Sequence, residues 1–230
     1  MKTLGLIGGM SWESTVTYYQ ILNETVKQRL GGLHSAEILL YSVDFEPIEQ
    51  LQHQQRWDEA GALLARVVQR LESGGAEAIV LCTNTMHKVA DVMMQATSLP
   101  LIHIADATAQ AILQQQLTTV GLLGTQFTMA ESFYKSRLVD QGLTVQVPGE
   151  ADQCIVHRII YDELCQGTIK DESRQEYRRV IQSLVDQGCE GIILGCTEIG
   201  LLVSAADSTV PLFDTTQIHA IAAADWALQR

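Results

Sequence analysis

Two short polar segments, each closing an apolar run, carry the residues best able to do chemistry. The first is Thr83-Asn84-Thr85, after Ala78-Ile79-Val80-Leu81-Cys82; the second is Cys196-Thr197-Glu198, after Gly191-Ile192-Ile193-Leu194-Gly195. A thiol ionises near pH 8.5 and can be tuned to a thiolate at neutral pH, which makes Cys196 a candidate base. The Thr83 hydroxyl is a poor free base but can relay a proton, directly or through a water. Asn84, Thr85 and Thr197 add amide and hydroxyl donors suited to an anionic group or to developing negative charge. Glu198 has three readings: it orients an amine, acts as a base, or caps the helix that follows. His87 either tunes polarity beside Asn84 or makes a backbone contact.

The elements that must position these groups read as a repeated α/β plan. Leu4 to Gly9 is a strand ending in glycines, and Ser11-Trp12-Glu13 starts a helix with a capping hydroxyl and an acid in its first turn. Val16, Tyr19, Leu22, Val26 and Leu30 recur at helical spacing before Gly31-Gly32. Ala36 to Val43 reads as a second strand, and Trp57, Leu63, Leu64, Val67 and Leu71 mark a second helix. Glu77 to Thr85 is a buried strand with a polar end, and Leu99 to Ile104 a fourth strand.

The second half restates this order. Val120 to Thr125 echoes Leu4 to Gly9, Gly188 to Glu198 echoes Gly75 to Thr85, and Val210 to Phe213 echoes Leu99 to Ile102. The offsets are 121 − 5 = 116, 188 − 75 = 113 and 211 − 100 = 111. An internal duplication follows. The predicted fold is α/β: two similar lobes with mostly parallel sheets, related by a pseudo-twofold, with the active site in the cleft between them. The expected division is 1–97 plus 209–230 for the first lobe and 98–208 for the second. At an offset of 113, Thr83 matches Cys196, Asn84 matches Thr197 and Thr85 matches Glu198, so a hydroxyl and a thiol would flank one ligand. Matching Gly75 to Gly188 and Glu77 to Glu190 selects this register over one that pairs Cys82 with Cys196. Strand alternation then sends Cys82 to the core.

Composition limits the partners. The chain has 230 residues, 47% of them apolar, and a net charge of −12 with no basic cluster, which argues against nucleic acid and anionic membranes. No apolar run approaches a membrane span and the first residues enter a strand at once, so no signal peptide is expected. Five cysteines without a C-x-x-C pair fit a reducing cytoplasm, and the six histidines show no metal-ligand spacing. The Gly8-Gly9-Met10-Ser11 turn opens a helix and could hold an anionic group, but it lacks a nucleotide-binding pattern.

With Gly5-Leu6-Ile7-Gly8-Gly9-Met10-Ser11-Trp12-Glu13-Ser14-Thr15, Thr83-Asn84-Thr85-Met86-His87 and Gly195-Cys196-Thr197-Glu198-Ile199 in place, the whole chain resembles the aspartate/glutamate racemase family. It is most similar to the L-aspartate/glutamate-specific branch, which is linked with broad-specificity amino-acid racemases. The resemblance implies two pseudo-symmetric lobes, a cysteine from each, no cofactor, an amino-acid substrate and a homodimer. The family's usual amino-terminal motif is Cys-Asn-Thr, whereas this chain carries Thr83 at the first position. Inversion needs a base on one face of the α-carbon and an acid on the other, so Cys196 is expected to abstract and Thr83, or a water it holds, to return the proton. In the family the carboxyl-terminal cysteine works on the L-enantiomer, hence an expected preference for L-substrates. Family position assigns Gln52, in a loop after the second strand, to the substrate side chain, and brings residues near Glu163 to the pocket. Met10, Asn84, Thr85, Thr197 and Glu198 complete the substrate-binding set. The alternatives are a single-thiol decarboxylase or cis-trans isomerase of small dicarboxylic acids, and a non-catalytic amino-acid-binding relative.

Overall fold

The computed structural model describes residues 1–229, which divide into two compact units. The first runs from Met1 to His103 and takes the chain again from His219. It contains β1 (Leu4–Gly8), α1 (Trp12–Leu30), β2 (Ile38–Ser42), α2 (Phe45–His53), α3 (Trp57–Ser73), β3 (Ala78–Leu81), a 3-10 turn (Thr85–Val89), α4 (Ala90–Met94) and β4 (Leu101–Ile102). The second runs from Ile104 to Ile218. It contains α5 (Ile104–Gln114), β5 (Thr119–Gly124), α6 (Gln126–Ala130), α7 (Ser132–Val139), β6 (Thr144–Gln146), α8 (Glu150–Asp162), a 3-10 turn (Leu164–Gln166), α9 (Asp171–Asp186), β7 (Gly191–Gly195), α10 (Ile199–Leu202) and β8 (Leu212–Asp214). The last helix, α11 (Thr215–Leu228), starts in the second unit and from His219 belongs to the first.

Each unit holds one parallel four-stranded sheet, and the orders match: β2-β1-β3-β4 and β6-β5-β7-β8. The ladders repeat the offsets read from the sequence. Leu4 faces Ala78 in one sheet and Val120 faces Gly191 in the other; Ile79 faces Leu101, and Ile192 faces Leu212. A matched side chain locks both sheets at the same place. Glu77 Oε2 accepts from Thr3 N at 2.7 Å, and Glu190 Oε2 accepts from Thr119 N at 2.9 Å.

Both faces of each sheet are covered, which explains the near-continuous apolar runs of the central strands. In the first unit Ile79 and Leu81 pack with Leu64, Val67, Val68 and Met86, while Ala78, Val80 and Cys82 pack with Tyr18, Leu22 and Ala224. In the second, Ile192, Leu194 and Cys196 share one cluster with Tyr177 and Ile181, and Ile193 lies in another with Ile112 and Phe213. Cys82 is therefore a core residue, and its burial pushes the thiol pKa far above the usual range.

Several sequence expectations differ from the structure. The chain leaves the first unit after His103 and returns at His219, not at 97 and 209, because β4 pairs with β3 and β8 with β7. The buried face of α1 is Ser14, Thr15, Tyr18, Leu22, Thr25 and Val26, so Val16, Tyr19 and Leu30 are exposed. Ser11 stands at the N-cap but its side chain makes no capping bond. The first turn is held instead by the Ser14 and Thr15 hydroxyls, which both donate to Ser11 O.

Candidate active site

The first half of the site follows β3. β3 ends at Leu81, Cys82 turns into the core, and the chain then bends, Thr83 N donating to Leu81 O at 2.8 Å. Asn84 and the 3-10 turn that starts at Thr85 follow, and Thr83, Asn84 and Thr85 are all buried. His87, one turn on, bonds through Nδ1 to Thr83 O at 2.7 Å. A carbonyl only accepts, so Nδ1 carries the proton. This backbone contact is one of the two roles open to His87 from sequence.

Behind His87 lies a group that sequence reasoning missed. The His87 ring meets His103 at a centroid distance of 4.3 Å and His219 at 6.1 Å. His219 is fully buried; Nε2 faces Ile102 O at 2.7 Å, and Nδ1 faces the Tyr18 hydroxyl at 2.8 Å. Burial depresses its pKa to about 4, so it is neutral at pH 7. Its Nε2–H donates to the carbonyl and its Nδ1 accepts from Tyr18. Among the described residues no group of three or more His, Cys, Asp or Glu could hold a metal ion. The three histidine rings thus pack behind Thr83, and the buried His219 among them is neutral. They stand 16 and 116 residues apart (103 − 87, 219 − 103), and no local pattern announces them.

The turn after β1 belongs to the same unit. Gly9 has φ +92°, and a Cβ there would meet Val43 O at 2.3 Å, so glycine is required. Gly9 N donates to Thr15 Oγ1 at 2.8 Å, which removes that N–H from the donors the turn could offer an anion. Met10 is buried in the cluster that contains Met86. Gln52 lies on α2 rather than in a loop, is buried, and points Nε2 at Met86 Sδ, 3.0 Å away. Met10, Gln52, Thr83, Asn84 and Thr85 therefore belong to one unit, with Gln52 linked through Met86 to the turn that carries Thr85.

The second half follows β7. The ladder puts Cys196 one residue past Gly195, and its Sγ donates to Glu198 Oε2 at 2.9 Å. The Thr197 hydroxyl donates to the same oxygen at 3.0 Å. Glu198 is 2% exposed and makes no side-chain cap on α10, which sets aside the cap among its three sequence readings; its contact with the thiol is new from the structure. Burial, then the charge of Glu198, raise the Cys196 pKa well above the ordinary thiol value. The resting group is a thiol, hydrogen-bonded to the Glu198 side chain. Thr216 Oγ1 donates to Thr197 O at 3.4 Å, which ties this segment to the start of α11.

Glu163 lies in the same unit as Cys196. Its buried carboxylate accepts from Ser173 Oγ at 2.6 Å and faces Lys170 and Arg158 at 3.4 and 3.6 Å. Burial opposes its ionisation, but the Ser173 bond and these two cations outweigh it and lower the pKa. Of the remaining cysteines, Cys189 is buried, Cys154 exposed and Cys165 intermediate.

The sequence model of the Asp/Glu/Hydantoin racemase family matches residues 7–223, nearly the whole chain. The chain belongs to this family. Its members are racemases, isomerases that work without pyridoxal phosphate. The chain is similar to a candidate Asp/Glu racemase of Yersinia pestis, with 59% identity, full coverage of both chains and a TM-score of 0.92. It is also similar to an aspartate racemase homologue of Pyrococcus horikoshii, at 33% identity, full coverage of both chains and a TM-score of 0.85. Among curated proteins, the broad specificity amino-acid racemase RacX of Bacillus subtilis is 23% identical over 222 residues, spanning 93% of this chain and 92% of RacX. No helix among the described residues is long and apolar enough to cross a membrane.

Proposed function

We propose that this protein racemises an amino acid without a cofactor, L-aspartate, L-glutamate or a related substrate, and that it acts preferentially on the L-enantiomer. The observation that carries this reading is the Cys196 thiol held at 2.9 Å by the buried Glu198 carboxylate, at the strand position whose counterpart in the other sheet is Thr83. The proton passes from Sγ to Glu198, leaving a thiolate and a neutral acid. The thiolate takes the α-proton of the L-substrate and becomes a thiol again, while the carbanion's charge is met by Asn84, Thr85 and Thr197. Thr83, or a water it holds, delivers a proton to the other face, and solvent restores both sides. A buried thiolate beside an ionised carboxylate is unfavourable, so transfer to Glu198 is what makes the base available. Met10 and Gln52 are assigned to substrate contact on the Thr83 side.

Among the described residues no disulfide joins the five cysteines, which suits a reducing compartment; the cytoplasm is the proposed location and a homodimer the proposed assembly. The test is incubation with L-aspartate, L-glutamate and L-homoserine without cofactor, followed by chiral chromatography. D-product should accumulate, and Cys196→Ala should slow it by about 10³-fold or more. Carbon dioxide release or double-bond isomerisation of small dicarboxylic acids, without any D-amino acid, would establish the single-thiol alternative instead. Binding without turnover would leave a non-catalytic relative.

A further inference from the structure

The chain carries 27 acidic residues against 15 lysines and arginines, so an arginine without a carboxylate partner stands out. Among the described residues every arginine but two lies within salt-bridge distance of a carboxylate. The two exceptions, Arg66 and Arg70, stand one turn apart on the same face of α3. Both line one cleft of about 320 Å³ between α3, the end of β2 and the start of α2. A second hollow shares both arginines and runs on past Gln69 to Ser73 and Gly74.

The cleft is built for more than a bare ion. Tyr41, on edge strand β2, bonds Arg70 Nη1 through its hydroxyl, and the guanidinium lies 5.4 Å from the centre of its ring. That contact holds the Arg70 fork before any ligand arrives, which reduces the ordering cost of binding. Val43, Pro47, Leu63 and Val67 supply an apolar wall. Asp44 also borders the cleft, but its carboxylate caps α2 by accepting from Glu46 N at 3.4 Å and pairs with neither arginine. Two guanidinium groups, with about 5–6 Å between the Cβ atoms of such a pair, suit an anion that spreads two or more charges over neighbouring oxygens. The volume leaves room for an organic body against the apolar wall.

We propose that the Arg66–Arg70–Tyr41 cleft is a binding site for a small, multiply charged organic anion, a phosphate ester or a polycarboxylate. The site is independent of the racemase reading, since it uses none of the residues placed in that machinery. The experiment is calorimetric titration of the intact protein with pyrophosphate, citrate and acetate at constant ionic strength. Saturable binding of pyrophosphate or citrate is expected, at least ten-fold tighter than acetate, and the better of the two identifies the head group. Arg66→Glu should weaken it by ten-fold or more. Arg66 is exposed, so this variant should keep the circular dichroism spectrum and racemase rate of the parent. Tyr41→Phe keeps the ring and loses the hydroxyl, and should weaken binding by a smaller factor. No saturable binding of either multivalent anion, affinity equal to that of acetate, or affinity unchanged in both Arg66→Glu and Arg70→Ala would each overturn the proposal.

Discussion

The ends of β3 and β7 occupy the same place in two sheets of one topology, yet they present opposite chemistry. At β7 a buried carboxylate reaches the thiol at 2.9 Å, and burial, then that charge, raise the thiol pKa; in the proposed reaction this half supplies both the base and the acceptor that frees it. At β3 the counterpart is a hydroxyl, and His87 Nδ1 holds the backbone carbonyl of Thr83 at 2.7 Å. His219 behind it is neutral near pH 7 because it is buried. The duplicated frame thus repeats its geometry while changing the side chains at the strand ends. In the proposed reaction one half removes a proton and the other holds a donor in place.

The largest effect that would sharpen this contrast is expected at Glu198. Glu198→Gln keeps a hydrogen-bonding side chain but removes the proton acceptor, and kcat should fall by about 10²–10³-fold with little change in KM. The same change removes the charge that helps raise the Cys196 pKa, so alkylation by iodoacetamide at a fixed pH should become faster while turnover becomes slower. Loss of both together would mean that Glu198 only supports the fold.

The next effect separates the two units by stability. The folded His219 pKa of about 4 lies below the unfolded value near 6.5. Its contribution is therefore fully present above about pH 6.5 and is lost as pH falls toward 4, to a total of about 3 kcal/mol. All three tryptophans, Trp12, Trp57 and Trp226, lie in the first unit, so denaturant unfolding followed by tryptophan fluorescence reports on it. His219→Gln should flatten the acid limb of that curve. An unchanged acid limb would remove His219 from the account.

The smallest effect concerns Thr83 itself. Thr83→Cys places a second thiol at the end of β3 and should raise α-proton exchange from D-substrates by about ten-fold, without a comparable gain from the L side. The gain is modest because no carboxylate in the Thr83 segment plays the part of Glu198.

Much of this frame was legible in the sequence because the repeat is written in glycines and in one glutamate. The offsets that match Gly75 to Gly188 and Glu77 to Glu190 reappear as ladder register and as the Thr3 and Thr119 hydrogen bonds. The buried fate of Cys82 followed from that register together with strand alternation. What hydrophobic periodicity could not convey is packing by polar residues. On α1, Ser14 and Thr15 are buried because Gly8 leaves room for Thr15, whose Cγ2 sits 2.4 Å from where a Cβ on that glycine would stand. Helix α2 was missed as a helix: its sequence is rich in Gln and Glu and contains Pro47. That proline sits in the first turn, where a missing N–H costs nothing, and Asp44 caps the helix. The Glu198 contact with Cys196 was not among the roles read from sequence, which were an amine partner, a base or a helix cap; only side-chain geometry reveals it.

The central claim is that Cys196 with Glu198 is the only competent base. Racemisation has an equilibrium constant of one, so kcat/KM for overall inversion must be equal in both directions, and the asymmetry must be sought in exchange without inversion. The decisive measurement is proton NMR in heavy water, following early loss of the α-proton from L- and D-aspartate in parallel with the unmodified protein. The account predicts rapid exchange with retention from the L-form and slow exchange from the D-form. Equal early exchange from both enantiomers would contradict it, because Thr83 would then be supplying a base of its own.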